Sequence, residues 1–523
     1  MRDRQSGKST SVLGRAIAVA AAMLGFAATS GSAQVAGGEL VLAQSANPPS
    51  LDAMTSSSES ARNINMNIFE ALVAIDENVD PIPMLAKSIE ASDDLLTYVF
   101  PLREGVLFHN GKEMTAEDVK ASLERYREMG ATRGMLDKVK EIEITGPYEV
   151  TFHMSEATPT FIEGFSSPRA PAVIIPAEEA AKPANEIEII GTGPFRFVEF
   201  VPDDHVTLER FDGYVPNEDF QGATGFGGKK TAYLDRAIYR IIPEAGARVA
   251  ALEAGEVQWA DQIPVPAAKR MMSDETLNVY EARQWAFMTF IMNWNLPPTD
   301  DVNFRRAVLY AIEPEEVMAI ATEGFYDLNH GWQYPGRTYN AGDIGKEIYE
   351  TAHPDKAREF LAQSDYAGEE FLILTDPNYA EHSRAAVVLA GQLNAIGINA
   401  VVKQHDWATV LKIRHSDEGW NGWTLMQGLE PFLGPYGMAA KMTGDKTHMR
   451  GTDPVFDEAY DRLITGKTVQ DRQQAFADIQ TAIYDLVPQI KLGDVGRMQA
   501  GSARLKGFRP FRAPRLNDIW LED

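Results

Sequence analysis

The residue types that carry covalent or acid–base chemistry are absent from this 523-residue chain or badly spaced along it. There is no cysteine, hence no thiolate nucleophile. No Gly-x-Ser-x-Gly elbow presents a serine, and no His-Glu-x-x-His pair presents a zinc site. The nine histidines are scattered, and none pairs with another at metal-ligand spacing. Adjacent carboxylates such as Glu178-Glu179 and Asp203-Asp204 point apart or lie in turns, although two acids for glycoside chemistry can come from distant positions. Gly222 to Lys230 (GATGFGGKK) lacks the G-x-x-x-x-G-K-[ST] spacing of a phosphate cradle and reads as a surface loop. No catalytic residue, metal site or cofactor is therefore expected.

Non-covalent chemistry remains. Arg337 and Arg414 each carry the planar fork that holds a carboxylate bidentately. Trp285, Phe287, Trp407, Trp420 and Trp423 offer the apolar walls that a binding cleft needs, with Trp259 a little upstream. For each Trp, a core or rim position is the plain alternative. Thr55-Ser56-Ser57-Ser58 offers hydroxyls to an anionic or hydroxylated partner, or is simply a solvated loop.

These residues must be positioned by a fold that alternates strand-like and helix-like segments. Tyr148, Val150, Phe152 and Met154 alternate with polar residues, the period of a half-buried strand. Phe195–Phe200 and Val206–Arg210 flank Pro202-Asp203-Asp204-His205 and read as a hairpin. Tyr239–Ile242 and Phe371–Leu374 read as buried strands. Thr115-Ala116-Glu117-Asp118 is a helix start of capping-box type, followed by Val119, Leu123 and Tyr126 on one face. Phe304, Ala307, Val308 and Ala311 form a second stripe. Leu389, Leu393 and Ile396 form a third, which stops at Gly397, and Gly397–Val402 returns as a strand. Phe476, Ile479, Ile483 and Leu486 form a last helix, ended by Pro488. Phe371–Val402 reads as one βαβ unit, so the fold class is α/β, with a strand-richer α+β N-terminal part.

The chain is too long for one compact core and predicts two or three structural units. Arg2, Arg4, Lys8 and Arg15, the apolar run Ala16–Ala28 and the small residues Gly31-Ser32-Ala33 read as a secretory signal peptide over residues 1–33. The run is shorter than the roughly 20 residues that span a bilayer. With no cysteine for lipid attachment, the exported chain is expected to be free and periplasmic. Four basic groups and one acid fall in the first 33 residues, so the net charge of −26 becomes −29 once their +3 is removed. A surface this acidic repels nucleic acid and anionic membranes.

Four ordered segments resemble the family 5 extracytoplasmic solute-binding proteins, the dipeptide, oligopeptide, nickel-chelate and opine receptors of ABC transporters. The first runs from Leu85-Ala86-Lys87-Ser88 through Ser92-Asp93-Asp94, Leu96–Phe100, Leu102–Val106 and Phe108–Gly111 to Thr115–Val119, with Ile89 where the family usually has Trp. The others are Gly191–Phe195 (GTGPF), Tyr233-Leu234-Asp235 with Ala251–Glu256, and Asn293 followed by Pro298, Asp301, Arg305, Ala307 and Ala311-Ile312. Most of these read as scaffold, with His109 a hydrogen-bonded turn residue and Arg305 paired to Asp300 and Asp301.

The resemblance implies a two-lobed, type II periplasmic-binding fold with an inserted α+β third domain, closing on its solute by hinge motion. The expected division is one lobe from residues 34–74, 188–275 and 485–523, an insertion at 75–187 and a second lobe at 276–484. It implies a monomeric, non-catalytic receptor that hands a peptide or peptide-like solute to an ABC permease. An opine, oligosaccharide or metal chelate is the alternative cargo. The resemblance puts Ser57, Ser58, Trp285 and Phe287 near the cleft. In peptide-binding relatives a Trp shortly precedes the Asp that pairs with the peptide ammonium; here Trp423 is followed by Met426-Gln427-Gly428-Leu429-Glu430-Pro431, and Glu430 is the available acid. Replacing Trp423 by Ala is expected to weaken binding with little loss of stability.

Overall fold

Two long strands organise the molecule, which is described by a computed structural model over residues 34–377, 379–416, 418–428, 434–443 and 447–522. The leader expected at residues 1–33 lies outside the described residues. Leu277–Met292 ends in the aromatic and β-branched run AFMTFIM, buried along its whole length. Such residues pack well on a pleated surface covered on both faces. It pairs antiparallel with Gln489–Ser502, from Leu277 opposite Ser502 to Ile291 opposite Gln489.

Further strands add on both sides of this pair. Among the described residues the largest sheet has ten strands, in the order Ala400–Gln404, Phe371–Thr375, Gly422–Gln427, Leu277–Met292, Gln489–Ser502, Trp259–Ala260, Glu39–Gln44, Arg236–Ile241, His205–Arg210, Phe195–Val201. The βαβ unit has the expected form: Phe371–Thr375, a helix over Ala380–Ala395, then Ala400–Gln404 returning parallel with Ala400 opposite Phe371. The expected hairpin pairs Phe195–Val201 with His205–Arg210. Each side of the long pair is thus an α/β layer, joined to the other through the same two strands.

The N-terminal part builds a separate four-stranded antiparallel sheet, Glu90–Ala91, Thr97–Pro101, Glu149–Met154 and Val139–Gly146. The helix Ala116–Met129 packs on it through Val119, Leu123 and Tyr126. Its start is held by Asp118, whose carboxylate accepts the Thr115 N–H at 3.0 Å. Phe161 stacks on Phe165 at 5.3 Å, and both pack against Phe152.

The shared motifs serve as scaffold. Gly191 and Gly193 press against the end of the helix Glu59–Ile68, and a Cβ on Gly191 would meet the Ile68 carbonyl at 2.2 Å. His109 pins the same loop: its Nδ1 accepts the Gly191 N–H at 3.1 Å and its Nε2 meets the Gly193 carbonyl at 3.0 Å. Burial pushes its pKa down to about 4, so the ring is neutral at pH 7.

Two expectations change. Gly222–Lys230 is not a free surface loop but a tight hairpin in which Ala223–Thr224 pairs with Gly227–Gly228. Its Phe226 is buried, and Lys230 makes a buried ion pair with Glu70 at 3.0 Å. The glycines are needed because the turn abuts backbone: a Cβ on Gly225 would fall 2.0 Å from the Ile75 carbonyl. Arg305 turns to backbone rather than to acids, donating to the carbonyls of Leu486, Thr299 and Asp300 at 2.8–2.9 Å. Leu486 ends a helix, where unpaired carbonyls attract a cation.

Candidate functional site

The first group of sequence-predicted residues lies along the long strand pair. Trp285 is half-buried between two guanidinium groups, Arg497 at 3.6 Å and Arg512 at 4.5 Å from its ring. Arg497 is paired to Glu59 and Asp261, so the stack is charge-balanced. Arg337 donates to the Gln284 side chain at 2.9 Å and to the Glu77 carbonyl at 2.9 Å. It therefore ties the long strand to the Glu77 turn. Trp285, Arg337, Gln284, Glu77 and Arg512 line a cavity of about 260 Å³. Phe287 sits deeper, under the Lys491 ammonium at 3.8 Å and beside Tyr334 at 4.7 Å. Lys491 pairs with Asp494 at 2.6 Å, and burial pushes its pKa down to about 8.

The second group gathers on the strand Gly422–Gln427. Trp423 is only 1% exposed. Arg414 covers its face at 4.9 Å, and Trp407 and His448 each lie 6.4 Å away. Arg414 comes from the turn after the helix Trp407–Ile413, which Asp406 caps by accepting the Thr409 N–H. Lys441 donates to Gln427 at 3.0 Å, and Gln427 donates to Thr289 and Gln489. Burial lowers the pKa of both Arg414 and Lys441. His448 is pushed down to about 4, by burial first and then by the charges of Lys441 and Arg414. Three polar atoms in this group are buried without a hydrogen-bond partner: Arg414 Nε, Trp423 Nε1 and His448 Nδ1.

Of the remaining predicted residues, Trp420 shares the hydrophobic cluster of Phe287 and Trp423. Trp420 is fully buried and its indole N–H donates to the Ser416 carbonyl at 3.2 Å. Ser57 is exposed, and the Ser58 hydroxyl bonds that of Ser60 at 2.7 Å, just before the helix Glu59–Ile68. Glu430 lies outside the described residues. His382 and Asp376, 3.1 Å apart, have the form of a catalytic dyad, but the second ring nitrogen of His382 accepts the Met426 N–H. Among the described residues no group of three His, Asp or Glu side chains is arranged to hold a metal ion.

A clasp that the sequence did not announce joins the N-terminal part to the rest. Glu163 accepts from Tyr339 at 2.6 Å, from Arg472 at 2.9 Å and from Tyr436. Nearby, the Thr338 hydroxyl donates to Asp80. Glu163, Tyr339, Lys441 and His448 stand in none of the recognisable motifs. The pair Trp420 and Trp423 marks that region in the sequence, but nothing there marks which cations fold back onto Trp423.

The comparisons agree with this architecture. The model of bacterial extracellular solute-binding proteins, family 5 (middle), matches residues 80–446, more than half of the chain. A probable peptide ABC transporter periplasmic-binding protein of Sinorhizobium fredii is 28% identical over 86% of this chain and 87% of its own length. The oligopeptide-binding protein AppA of Bacillus subtilis is 26% identical over 74% of each. Among solved structures, the ABC transporter substrate-binding protein CtaP of Listeria monocytogenes superposes with a TM-score of 0.79 at 20% identity, over 93% of this chain and 100% of that one. The fold is thus the two-lobed α/β type II periplasmic-binding fold that the sequence predicts. The chain belongs to the family 5 bacterial extracellular solute-binding proteins.

Proposed function

We propose that this chain is the receptor of an ABC importer, capturing a peptide or peptide-like solute between two lobes and delivering it to a membrane permease. The observation that carries the reading is the seam. Arg337 reaches Glu77, Thr338 reaches Asp80, and Tyr339, Tyr436 and Arg472 converge on Glu163. Such side-chain contacts between parts joined by a few strands are what a hinged receptor makes and breaks around its ligand. The lobe boundaries expected from the sequence suit this reading, with the long strands Leu277–Met292 and Gln489–Ser502 as the connection.

The receptor works as a monomer in the periplasm after loss of residues 1–33, without a lipid anchor and without turnover. No described helix is long and apolar enough to cross a membrane. Edman sequencing of the exported protein is expected to start at Gln34.

The decisive experiment is a thermal melt with pooled di- to tetrapeptides. A bound solute at a hundredfold excess over Kd stabilises by about 2.7 kcal/mol. A shift with intact peptide recovered afterwards supports the receptor. Peptide consumed in the assay indicates a hydrolase instead. No shift with peptides, but one with an opine, oligosaccharide or metal chelate, moves the cargo to that class.

A further inference from the structure

We propose that Arg414, Lys441 and His448 form a subsite around Trp423 that takes an anionic end of the solute, a carboxylate, rather than a free ammonium. The inference rests on the receptor reading and names the chemistry of its cargo.

The argument begins from charge balance. A cation withdrawn from water without a partner costs several kcal/mol. Elsewhere among the described residues, four buried cations meet that cost with acids or carbonyls: Arg125 with Asp52, Lys230 with Glu70, Arg472 with Glu163, Arg305 with three carbonyls. Arg414 and Lys441, each half-buried, have no such ion pair or carbonyl contact among the described residues. Burial is what acts on each, and no described carboxylate lies close enough to offset it. Lys441 has a neutral amide as its partner, and Arg414 lies on an indole face.

Hydrogen-bond accounting points the same way. The unpartnered Arg414 Nε and Trp423 Nε1 are both donors, and Lys441 retains ammonium protons beyond the one given to Gln427. His448 is neutral at pH 7 and adds one more N–H in the matching tautomer. A carboxylate accepts about four hydrogen bonds and supplies the missing charge. An ammonium would add a third cation and offer no acceptor. The subsite adjoins the seam: Tyr436, which reaches Glu163, precedes Lys441 on the consecutive helical turns Tyr436–Ala439 and Ala440–Met442.

The test uses calorimetry on the purified chain with three forms of one peptide: N-acetyl-tetra-alanine with a free carboxylate, zwitterionic tetra-alanine, and tetra-alanine amide with a free ammonium. The acetylated acid is expected to bind at least about tenfold tighter than the amide, the size of one charge-assisted contact. Arg414→Met and Lys441→Met are each expected to remove that preference, with His448→Gln as a milder variant should either fold poorly.

Equal binding of acid and amide, or tighter binding of the amide, overturns the subsite while leaving the receptor reading standing. So does a preference that appears only in Glu430→Gln, because Glu430 would then be the internal counter-charge. If none of the three binds, native mass spectrometry of the copurifying solute decides. An anion lost in Lys441→Met keeps the subsite and discards the peptide; a neutral or cationic solute, or none, discards the subsite.

Discussion

Two polar clusters stand close together in the chain and are built on opposite plans. At Glu163 one acid is surrounded by donors: two phenols and the Arg472 guanidinium, itself nearly buried. At Trp423 two cations and an imidazole are gathered with no described acid among them. The first cluster is complete within the protein, and removing a member should damage the protein itself. The second is incomplete, and removing a charge should damage what the protein holds. A satisfied network adds rigidity, whereas an unsatisfied one stores a demand for a partner.

The largest effect tests the floor of the second cluster. Trp423 is buried among core side chains including Phe287, Ile291 and Leu374. Trp423→Ala is therefore expected to cost about 3–5 kcal/mol of stability by chemical denaturation. This departs from the small loss that the sequence alone suggested, because the Trp presents its face to Arg414 and its remaining surface to the core. A loss under about 1 kcal/mol would mean that the ring is a cleft wall after all.

Next comes the completed cluster. Glu163→Ala leaves the Arg472 guanidinium without its carboxylate, and a cost of about 2–3 kcal/mol is expected. Tyr339→Phe in the same background should cost less than it does in the intact chain, since its hydroxyl has lost its acceptor at Glu163 and keeps only the Arg472 Nε–H and Tyr436. Additive losses would show that the clasp is a set of independent contacts and would remove the contrast with Trp423.

How much of this was legible beforehand follows from the range of the interactions. The strand over Glu149–Met154, the capped helix at Thr115 and the βαβ unit at Phe371 were readable, because period and capping are local properties. The role of His109 as a turn residue was readable too, although its partners, 82 and 84 residues away, were not. Gly222–Lys230 was misread as surface because only the fold brings Ile75 against it. Of the candidate site, the sequence named Trp407, Trp423 and Arg414, which the fold brings together. Lys441 and His448 join them through long-range packing that no spacing encodes, and the clasp joins Glu163 to a side chain 309 positions away.

Histidine titration gives a smaller effect that separates the Trp423 cluster from the scaffold by cause. His109 and His448 both have folded-state pKa values near 4, below the ordinary 6.5. The unfolded chain therefore binds protons more readily between these values. Their contribution is complete above pH 6.5 and is lost as the pH falls from 6.5 toward about 4. His109→Gln should flatten the fall of Tm over that window. The two rings should part company in Arg414→Met: removing a neighbouring cation lets the His448 pKa rise, read by NMR, while that of His109 stays put. Equal behaviour of the two rings would deny that Arg414 and His448 share one environment.

The smallest expected effect on stability is the most discriminating. In a completed network, taking away a guanidinium strands its acid and costs several kcal/mol. Arg414 strands no described acid, and its Nε–H is unpartnered as it stands. Methionine keeps a long apolar stem over the Trp423 ring and removes a charge that burial opposes. Arg414→Met should thus leave the solute-free protein unchanged within about 1 kcal/mol, or slightly more stable. The same substitution should weaken the acidic peptide. A loss of several kcal/mol in the solute-free protein would mean that Arg414 already holds a counter-charge of its own chain. The two clusters would then be of one kind, and the cationic one would belong to the scaffold.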